Sequence, residues 1–309
     1  MSVLTVAEKQ CAPRIRSSLV ATVCRWLALM ALLALAWLAH STSANAADPS
    51  KATSSRAARD EAIRLIPLNK LDPQARAQVQ YVLKHVSVYR RLPVQVVRAD
   101  PALYQYFLEH PDVTVKMWRM MGLTQLKVDR TDEARFSIDD NQGTTADAQF
   151  LYRDHDTHVV YTRGVYDGSM FPKAVQGHVV MLLKTGYVRE PNGEFYITSR
   201  LDTFIRMDNV GLDLIAKTFN PLVGRIIDDN FVEAMKFVGS FSKTAGVNPE
   251  AMLALAERMD NVDPQDQDLL LQIVSDVGDK AEAVRLANAT SPIVDRPRNA
   301  SAGSANRRR

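Results

Sequence analysis

The densest group of residues that could do chemistry spans residues 154 to 158, which read Asp-His-Asp-Thr-His. Carboxylates and imidazoles together are ligands that zinc and other divalent ions accept. The segment also fits a hairpin turn, because aspartate side chains accept hydrogen bonds from turn backbone. His155 and His158 would point to opposite faces if both lay in a strand, since side chains alternate. We interpret the segment as a turn and predict neither a metal site nor a cofactor.

Charged side chains within predicted strands are the next candidates for a binding site. Arg200 and Asp202 share one strand face, where they would pair or meet a polar group of a ligand if that face lined a cavity. The other face of the strand is more apolar, which favours an outward, solvated pair. Arg163 and His178 are single polar strand residues, which are more typical of a surface. Arg200, Asp202 and His178 would be the first catalytic candidates if the protein were an enzyme.

Apolar candidates for ligand contact come from two predicted helices. Trp118 lies among Met117, Met120 and Met121, and methionine-rich faces can line adaptable apolar pockets. Phe219 and Val223 belong to the apolar face of a long helix. Such residues are most often core, and a cavity wall is the alternative. No serine elbow, phosphate loop or dinucleotide motif occurs, so we predict no catalytic residue.

The elements that would position these side chains are clearest from Gly122 to Ala245. Clusters of Asp, Asn, Gly, Ser and Pro predict tight turns. They lie at residues 129–133, 140–143, 154–156, 167–169 and 191–193. Six strands between these turns would be followed by an apolar helix over about 209–244, which Pro221 must bend or divide. This order predicts a curved antiparallel sheet against a helix.

Capping patterns predict the remaining elements. A helix should begin at Pro73 after Asp72, and two short helices should begin at Pro101 and Pro111. Residues 86–98 alternate as a strand that carries Pro93, and two further helices should follow residue 248. The predicted organisation is a signal peptide at 1–46, a flexible spacer at 47–71, a domain at 72–245, a helical pair at 246–289 and a disordered basic tail at 290–309.

The order of elements from Val86 to Thr244 resembles that of the START-like superfamily, also called helix-grip or polyketide-cyclase-like. In these proteins an antiparallel sheet wraps a long C-terminal helix, and two small helices follow the first strand. The resemblance implies an α+β fold with about seven strands and a cavity for lipids, sterols or other apolar molecules. Some members catalyse cyclisation or hydrolysis there, but without a common catalytic motif. The N-terminal helix, the export signal and the helical pair are departures from the simplest members.

The first 46 residues predict export. A basic start precedes fourteen uncharged residues from Trp26 to Ala39, which are too few to cross a bilayer, and Ala44-Asn45-Ala46 follows as a cleavage signal. The alternative is an uncleaved N-terminal membrane anchor. Both cysteines lie in this segment, so the mature chain would have no disulfide. Its removal takes four basic residues and one acid, so the net charge of +3 becomes 0, which argues against nucleic-acid binding.

Three functions remain open on the sequence alone. The leading hypothesis is an exported, periplasmic or secreted, non-enzymatic protein that binds a lipid or another apolar small molecule between sheet and helix. The second is an enzyme, such as a cyclase or hydrolase, that uses the same cavity. The third is an interaction module of the cell envelope, with the helical pair as docking surface and possible transient contact with membrane or envelope proteins.

Overall fold

The computed structural model describes residues 48–169, 173–208 and 224–290. The helices are α1 (Arg56–Leu65), α2 (Pro73–Lys84), α3 (Pro101–Glu109), α4 (Pro111–Met120), α5 (Gly224–Val247), α6 (Pro249–Glu257) and α7 (Pro264–Thr290). The strands are β1 (Val88–Arg91), β2 (Gln95–Arg98), β3 (Lys127–Asp132), β4 (Arg135–Asp139), β5 (Thr144–Arg153), β6 (Thr157–Tyr166), β7 (Val175–Arg189) and β8 (Phe195–Met207). The predicted signal peptide, the first part of the predicted long helix and the tail after residue 290 lie outside these residues.

The eight strands form one antiparallel sheet in the order β1-β8-β7-β6-β5-β4-β3, with β2 also paired to β8. The six predicted strands from Gly122 onward and their turns are confirmed. The single strand predicted over 86–98 is two strands on one partner, separated by Pro93. Proline cannot donate to the ladder, and the backbone of Leu92 makes the last bond before it, to Leu201 O at 2.9 Å.

Helix starts follow the predicted capping residues. The carboxylate of Asp72 accepts a hydrogen bond from Ala75 N at 2.8 Å, and Asp100 caps α3 in the same way. Proline occupies the first turn of both helices. A capped N-terminus leaves fewer backbone N–H groups without partners, and proline has no N–H to satisfy. The short helices therefore begin where the sequence predicts them.

The two faces of the sheet are covered by different helices. We call the face that packs against α5 the inner face and the opposite one the outer face. Alternate residues of β8 lie on the inner face, where Ile197 packs with Val238 of α5 and Ile205 packs with Ile227. The small helices α3 and α4 close one end of the inner side, and Phe107 contacts the ring of Phe241 of α5 at 4.9 Å.

Helices α1 and α2 cover the outer face, which corrects the flexible spacer predicted for residues 47–71. Ser55 caps α1, and the small side chains of Ala58 and Ala62 are buried against the sheet. They share a core cluster with Leu182 and Phe204 of the outer face. The alanines that suggested a spacer are thus the residues that allow a helix to approach the sheet closely. A second apolar layer results, on the side away from α5.

The helical pair α6–α7 packs back onto α5 and α3. Leu270 and Val274 are fully buried in the cluster that contains Ala245 of α5. A Cβ on Gly278 would lie 2.8 Å from Pro249 Cβ, so the two helices are in close contact. Leu269 is 43% exposed, whereas the nearby Leu271 and Ile273 are partly buried against the same cluster. The pair is part of the core. Most of the apolar residues that the sequence suggested as a docking surface therefore contact the rest of the domain instead.

Candidate functional site: the inner face of the sheet

The middle of the inner face is apolar and remains partly accessible beneath α5. The register aligns Val160, Met181 and Thr203 in one row and His158, Leu183 and Leu201 in the next, across β6, β7 and β8. Val160, Met181, Leu183 and Leu201 are all half-buried, whereas Val159, Val180 and Leu182 on the outer face are fully buried. The outer face is therefore the more tightly packed of the two, and these inner-face side chains retain part of their accessible surface.

Small residues lie on the inner face toward the start of α5. Ala146, Gly164 and Gly177 form one row on the inner face across β5, β6 and β7, and Ala148 lies in the next row, opposite Thr162. A Cβ on Gly164 would lie 2.7 Å from the Cβ of Ala146, which shows how closely the two strands approach on their concave side. The absence of a side chain at this point permits that curvature.

One end of the inner face, which we call the floor, is formed by buried hydroxyl groups that hydrogen-bond to one another. The hydroxyl of Tyr104 on α3 lies 3.0 Å from Thr185 Oγ1 and 2.9 Å from Ser199 Oγ. All three residues are buried. Burial raises the pKa of Tyr104, which keeps the phenol neutral so that it can donate and accept. This cluster fixes α3 across the end of the sheet and leaves none of its own hydroxyls unpaired.

One row further into the interior, the polar groups have no protein partner. Neither ring nitrogen of His158 makes a hydrogen bond, although the residue is only 1% exposed. The buried hydroxyls of Thr162 and Thr203 and the indole nitrogen of Trp118 likewise lack partners. On the outer face, Asp202 Oδ2 and Arg200 Nε also lack hydrogen bonds, but they lie 3.4 Å from each other. Buried polar groups in proteins are nearly always hydrogen-bonded, so the unpaired groups of the inner side indicate where a ligand or solvent would bind.

Burial lowers the pKa of His158 to about 4. Asp154 and Asp156 oppose this shift and Arg153 adds to it, but removal of the ring from water is the largest effect. The imidazole is therefore neutral at physiological pH. The sequence suggested only a metal role or a turn for this residue. Its alternation with Val160 and Thr162 along β6 was the signal that could have placed it on a cavity wall.

An ion pair secures the start of α5 to the edge of the sheet. Arg90 lies on the inner face of β1 and donates from Nε to Asp228 Oδ1 at 2.7 Å, with a second bond from its Nη2 to the same carboxylate. The hydrogen bond with Asp228 raises the pKa of Arg90. Gly224 makes room for the guanidinium, because a Cβ there would lie 3.1 Å from Arg90 Cζ. Sequence analysis did not identify this pair.

Arg200 and Asp202 lie on the outer face, as the alternation predicts, but they are not a solvated pair. Asp202 is fully buried beneath α1 and accepts hydrogen bonds from Tyr89 at 2.6 Å and from Arg91 at 2.7 Å. Arg91 and Arg200 each also bind Glu61 of α1, at 2.9 and 3.1 Å. A hydrogen bond from Arg91 lowers the pKa of Glu61, and burial raises that of Tyr89. The network attaches α1 to the sheet.

The other candidates from the sequence are dispersed. Arg163 is exposed on the outer face, opposite His178. His178 Nδ1 lies 2.7 Å from the hydroxyl of Tyr161, and its Nε2 lies 3.3 Å from Asp208. Of the predicted ligand-contact residues that the structure describes, only Trp118 is on the inner side, with its ring 5.5 Å from that of Phe237 of α5.

Phe219 and Val223, the remaining two candidates, lie outside the described residues. The predicted turn at residues 154–156 is confirmed, because Asp154 Oδ1 accepts from the backbone of Asp156 at 3.1 Å and of Thr157 at 2.7 Å. Within the described residues, no group of three or more His, Cys, Asp or Glu side chains could hold a metal ion. No helix in the same ranges is long and apolar enough to cross a membrane.

A separate surface pocket of about 570 Å³ lies between the end of α4, β3 and the loop after α6. Its lining includes Lys116, Arg119, Asp129, Arg258 and Asp260. This charged lining suits water and ions rather than an apolar molecule. None of the described inner-face residues of β6, β7 or β8 lines the pocket. It is not the sheet–helix cavity that the element order predicts, and the inner face remains the better candidate.

The strand order, the two small helices after the first strand and the closing helix across the inner face define an α+β protein of the helix-grip type. No protein-family model matches the sequence, and no curated protein matches it.

Among solved structures, Ara h 8.0201 is similar at 10% identity and a TM-score of 0.33, covering 50% of this chain and 99% of its own. Mll3558 from Rhizobium loti (12% identity, TM-score 0.27) covers 48% and 97%. An uncharacterised protein from Rhizobium leguminosarum (14%, 0.26) covers 48% and 96%. At these TM-scores the likenesses add nothing to the fold assignment, which rests on the elements themselves.

Proposed function

We propose that this protein binds a lipid or another apolar small molecule between the inner face and α5, without catalysis, after export to the periplasm or cell envelope. The observation that carries the proposal is the partial accessibility of Met181, Leu183 and Leu201 on a face that a long helix covers. Apolar side chains in such a position gain about 25 cal/mol per Å² when a ligand removes them from water. The same face holds unpaired polar groups that could orient a ligand.

An enzymatic role has less support, because the charged groups that the sequence suggested for it are on the other face, and Arg90 and Asp228 on the inner side are bound to each other. Arg200 and Asp202 are engaged with α1, and His178 is paired with Tyr161 and Asp208. General acid–base chemistry requires a titratable group within hydrogen-bond reach of the reacting atom. His158 has no hydrogen bond to a second titratable group, so it does not supply such a pair.

The first test is to express the full chain in a bacterium, purify the protein from the periplasm without detergent, and analyse it by native mass spectrometry and lipid extraction. The proposal expects a co-purifying apolar molecule near one-to-one stoichiometry. The intact mass of the recovered protein would also show whether the chain is cleaved near Ala46, or retained as the anchored alternative requires.

A variant pair tests the location of the ligand. Met181→Trp adds bulk to the inner face, and Val188→Trp introduces the same side chain on β7 at an exposed position. If the space is a ligand cavity, Met181→Trp loses the ligand and keeps its stability, whereas Val188→Trp keeps both. If the interface is packed solid, overpacking at Met181 should destabilise the fold by about 1–3 kcal/mol. That result, with no ligand in the parent protein, would oppose the proposal.

A further inference from the structure

His158 is a buried polar side chain of the inner face with two ring nitrogens and no protein partner for either. It is 1% exposed, and both of its ring nitrogens lack a hydrogen bond. Its cross-strand neighbour on β7 is Leu183, and the ring of Phe150 lies 6.1 Å away, edge-on. Within the described ranges, the surface histidine His85 and the outer-face His178 have hydrogen-bond partners, at Tyr81 O and Tyr161. An imidazole in an apolar wall without partners is destabilising unless another molecule pairs with it.

The neighbouring row shows that the fold can satisfy buried polar groups where no ligand is needed. Tyr104 reaches both Thr185 and Ser199 from α3. His158 lies one row beyond this floor, toward the accessible apolar residues Leu183 and Leu201. The position is therefore at the inner end of the proposed cavity, where the floor meets the apolar wall. A ligand that enters beneath α5 would meet His158 last.

The chemistry of the ring restricts the head group that it can bind. Burial lowers the pKa of His158, so the imidazole is neutral and offers one N–H donor and one nitrogen acceptor. A hydroxyl can pair with either nitrogen, and a carbonyl can accept from the N–H. A carboxylate or an ammonium group would lose its hydration without meeting an opposite free charge. The nearby Arg153 is already paired with Glu133 at 2.9 Å.

The length of the apolar wall restricts the rest of the ligand. Thr162, the next unpaired polar residue on the inner face of β6, is four residues from His158, which corresponds to about 13 Å along a strand. Val160 lies between them, and Met181 and Leu201 continue the wall on β7 and β8. The wall thus suits an apolar body of roughly this length, with its polar group at the His158 end.

We infer that His158 is the polar anchor of the ligand cavity, and that the ligand is a neutral molecule with an apolar body and a hydroxyl or carbonyl group at one end. The inference rests on the proposed function, because it requires a ligand on the inner face. It goes beyond that proposal by excluding anionic and cationic head groups and by naming the residue that selects among neutral ones.

The experiment compares three probes that share one ring system: naphthalene, 2-naphthol and 2-naphthoate. Each competes with the fluorescent apolar probe N-phenyl-1-naphthylamine for the delipidated full-length protein. Binding of that probe shows that an apolar cavity is present. The relative affinities of the three competitors show whether a polar group in it selects among head groups. We expect 2-naphthol to bind about 2- to 10-fold more tightly than naphthalene, the gain from one neutral hydrogen bond, and 2-naphthoate to bind most weakly.

The variant His158→Phe keeps a ring and removes both nitrogens. In this variant, the affinities for 2-naphthol and naphthalene should become nearly equal, while N-phenyl-1-naphthylamine still binds. His155→Gln, at the exposed turn three residues away, is the matched control and should keep the parent ratio. If His158→Phe does not fold, the ring ¹⁵N shifts of His158 in the parent protein replace it, and they should move with 2-naphthol but not with naphthalene.

Three results separate the possibilities. Loss of the hydroxyl preference in His158→Phe, or the selective ¹⁵N shift, supports the anchor. An unchanged preference, or tight binding of 2-naphthoate, overturns it while the cavity stands. Failure of N-phenyl-1-naphthylamine and of every competitor to bind the parent protein refutes the proposed function, and the anchor with it.

Discussion

The buried imidazole of His158 should make the stability of the protein fall as the pH is lowered from neutral. Its pKa is about 4 in the folded protein and about 6.5 in an unfolded chain. Below pH 6.5 the unfolded chain binds a proton that the folded protein does not, so the free energy of unfolding decreases until the pH reaches the folded pKa. The contribution is thus complete above about pH 6.5 and is lost between 6.5 and 4.

The size of the effect follows from the shift. One pKa unit corresponds to about 1.4 kcal/mol, so the loss from this residue is about 2 kcal/mol at pH 5 and about 3 kcal/mol at pH 4. Little discounting for solvent is needed, because the side chain is 1% exposed. Carboxylates titrate over part of the same range. The comparison must therefore be made between the parent protein and His158→Phe, which lacks the titratable imidazole and keeps the carboxylates.

Urea denaturation at pH 7.5, 6, 5 and 4.5 measures the difference. The free energy of unfolding of the parent should fall relative to that of His158→Phe by about 2 kcal/mol between pH 7.5 and pH 5. His155→Gln, which alters an exposed imidazole, should follow the parent curve. Parallel curves for the parent and His158→Phe would refute the reasoning, since they would mean that the ring is protonated equally in both states and is not desolvated.

Two further predictions concern the sheet. Asp202→Asn should lower the free energy of unfolding by about 3–5 kcal/mol, because it removes the buried charge that faces Arg91 and Arg200 and leaves them only Glu61. Glu194→Gln in an exposed ion pair should cost less than about 1 kcal/mol, and equal urea midpoints for the two variants would contradict the buried network. Gly164→Ala should destabilise by about 1–3 kcal/mol, because the new methyl group would lie 2.7 Å from Ala146 Cβ, and Gly186→Ala, whose nearest contact would be at 4.0 Å, should be nearly neutral. Thermal melting that ranks Gly186→Ala as the worse of these two would refute the close approach of the strands.

Much of the architecture was predictable because it depends on local rules. Asp72 and Asp100 followed by proline specify helix starts, and turn residues such as those at 191–193 specify hairpins. Each signal acts within a few residues. The order of strands then leaves few ways to build a sheet whose apolar face is covered by the last helix.

The site was less predictable because it depends on which helix covers which face. The alternation in β8 placed Arg200 and Asp202 on the face opposite Ile197, but nothing local indicated that α1 would cover them. A segment rich in Ala and Ser looks flexible by composition, although Ala62 is what lets the helix lie flat on the sheet. The inner-face position of His158 was missed, because the turn residues next to it led us to interpret the whole segment as a turn. Both errors come from reading composition over a few residues where long-range packing decides the outcome.

The contrast between the two faces argues for where function lies. On the outer face, the buried charge of Asp202 is met by Tyr89 and Arg91 and is covered by α1, so the polar groups there hold the fold together. On the inner face, His158 and Thr203 are equally buried and unpaired beside half-buried apolar residues. Asp202 Oδ2 also lacks a hydrogen bond, but Nε of Arg200 lies 3.4 Å from it, so the outer-face carboxylate is met by a charge of the protein. A partner that is not part of the chain would satisfy the unpaired groups of His158 and Thr203 beneath α5.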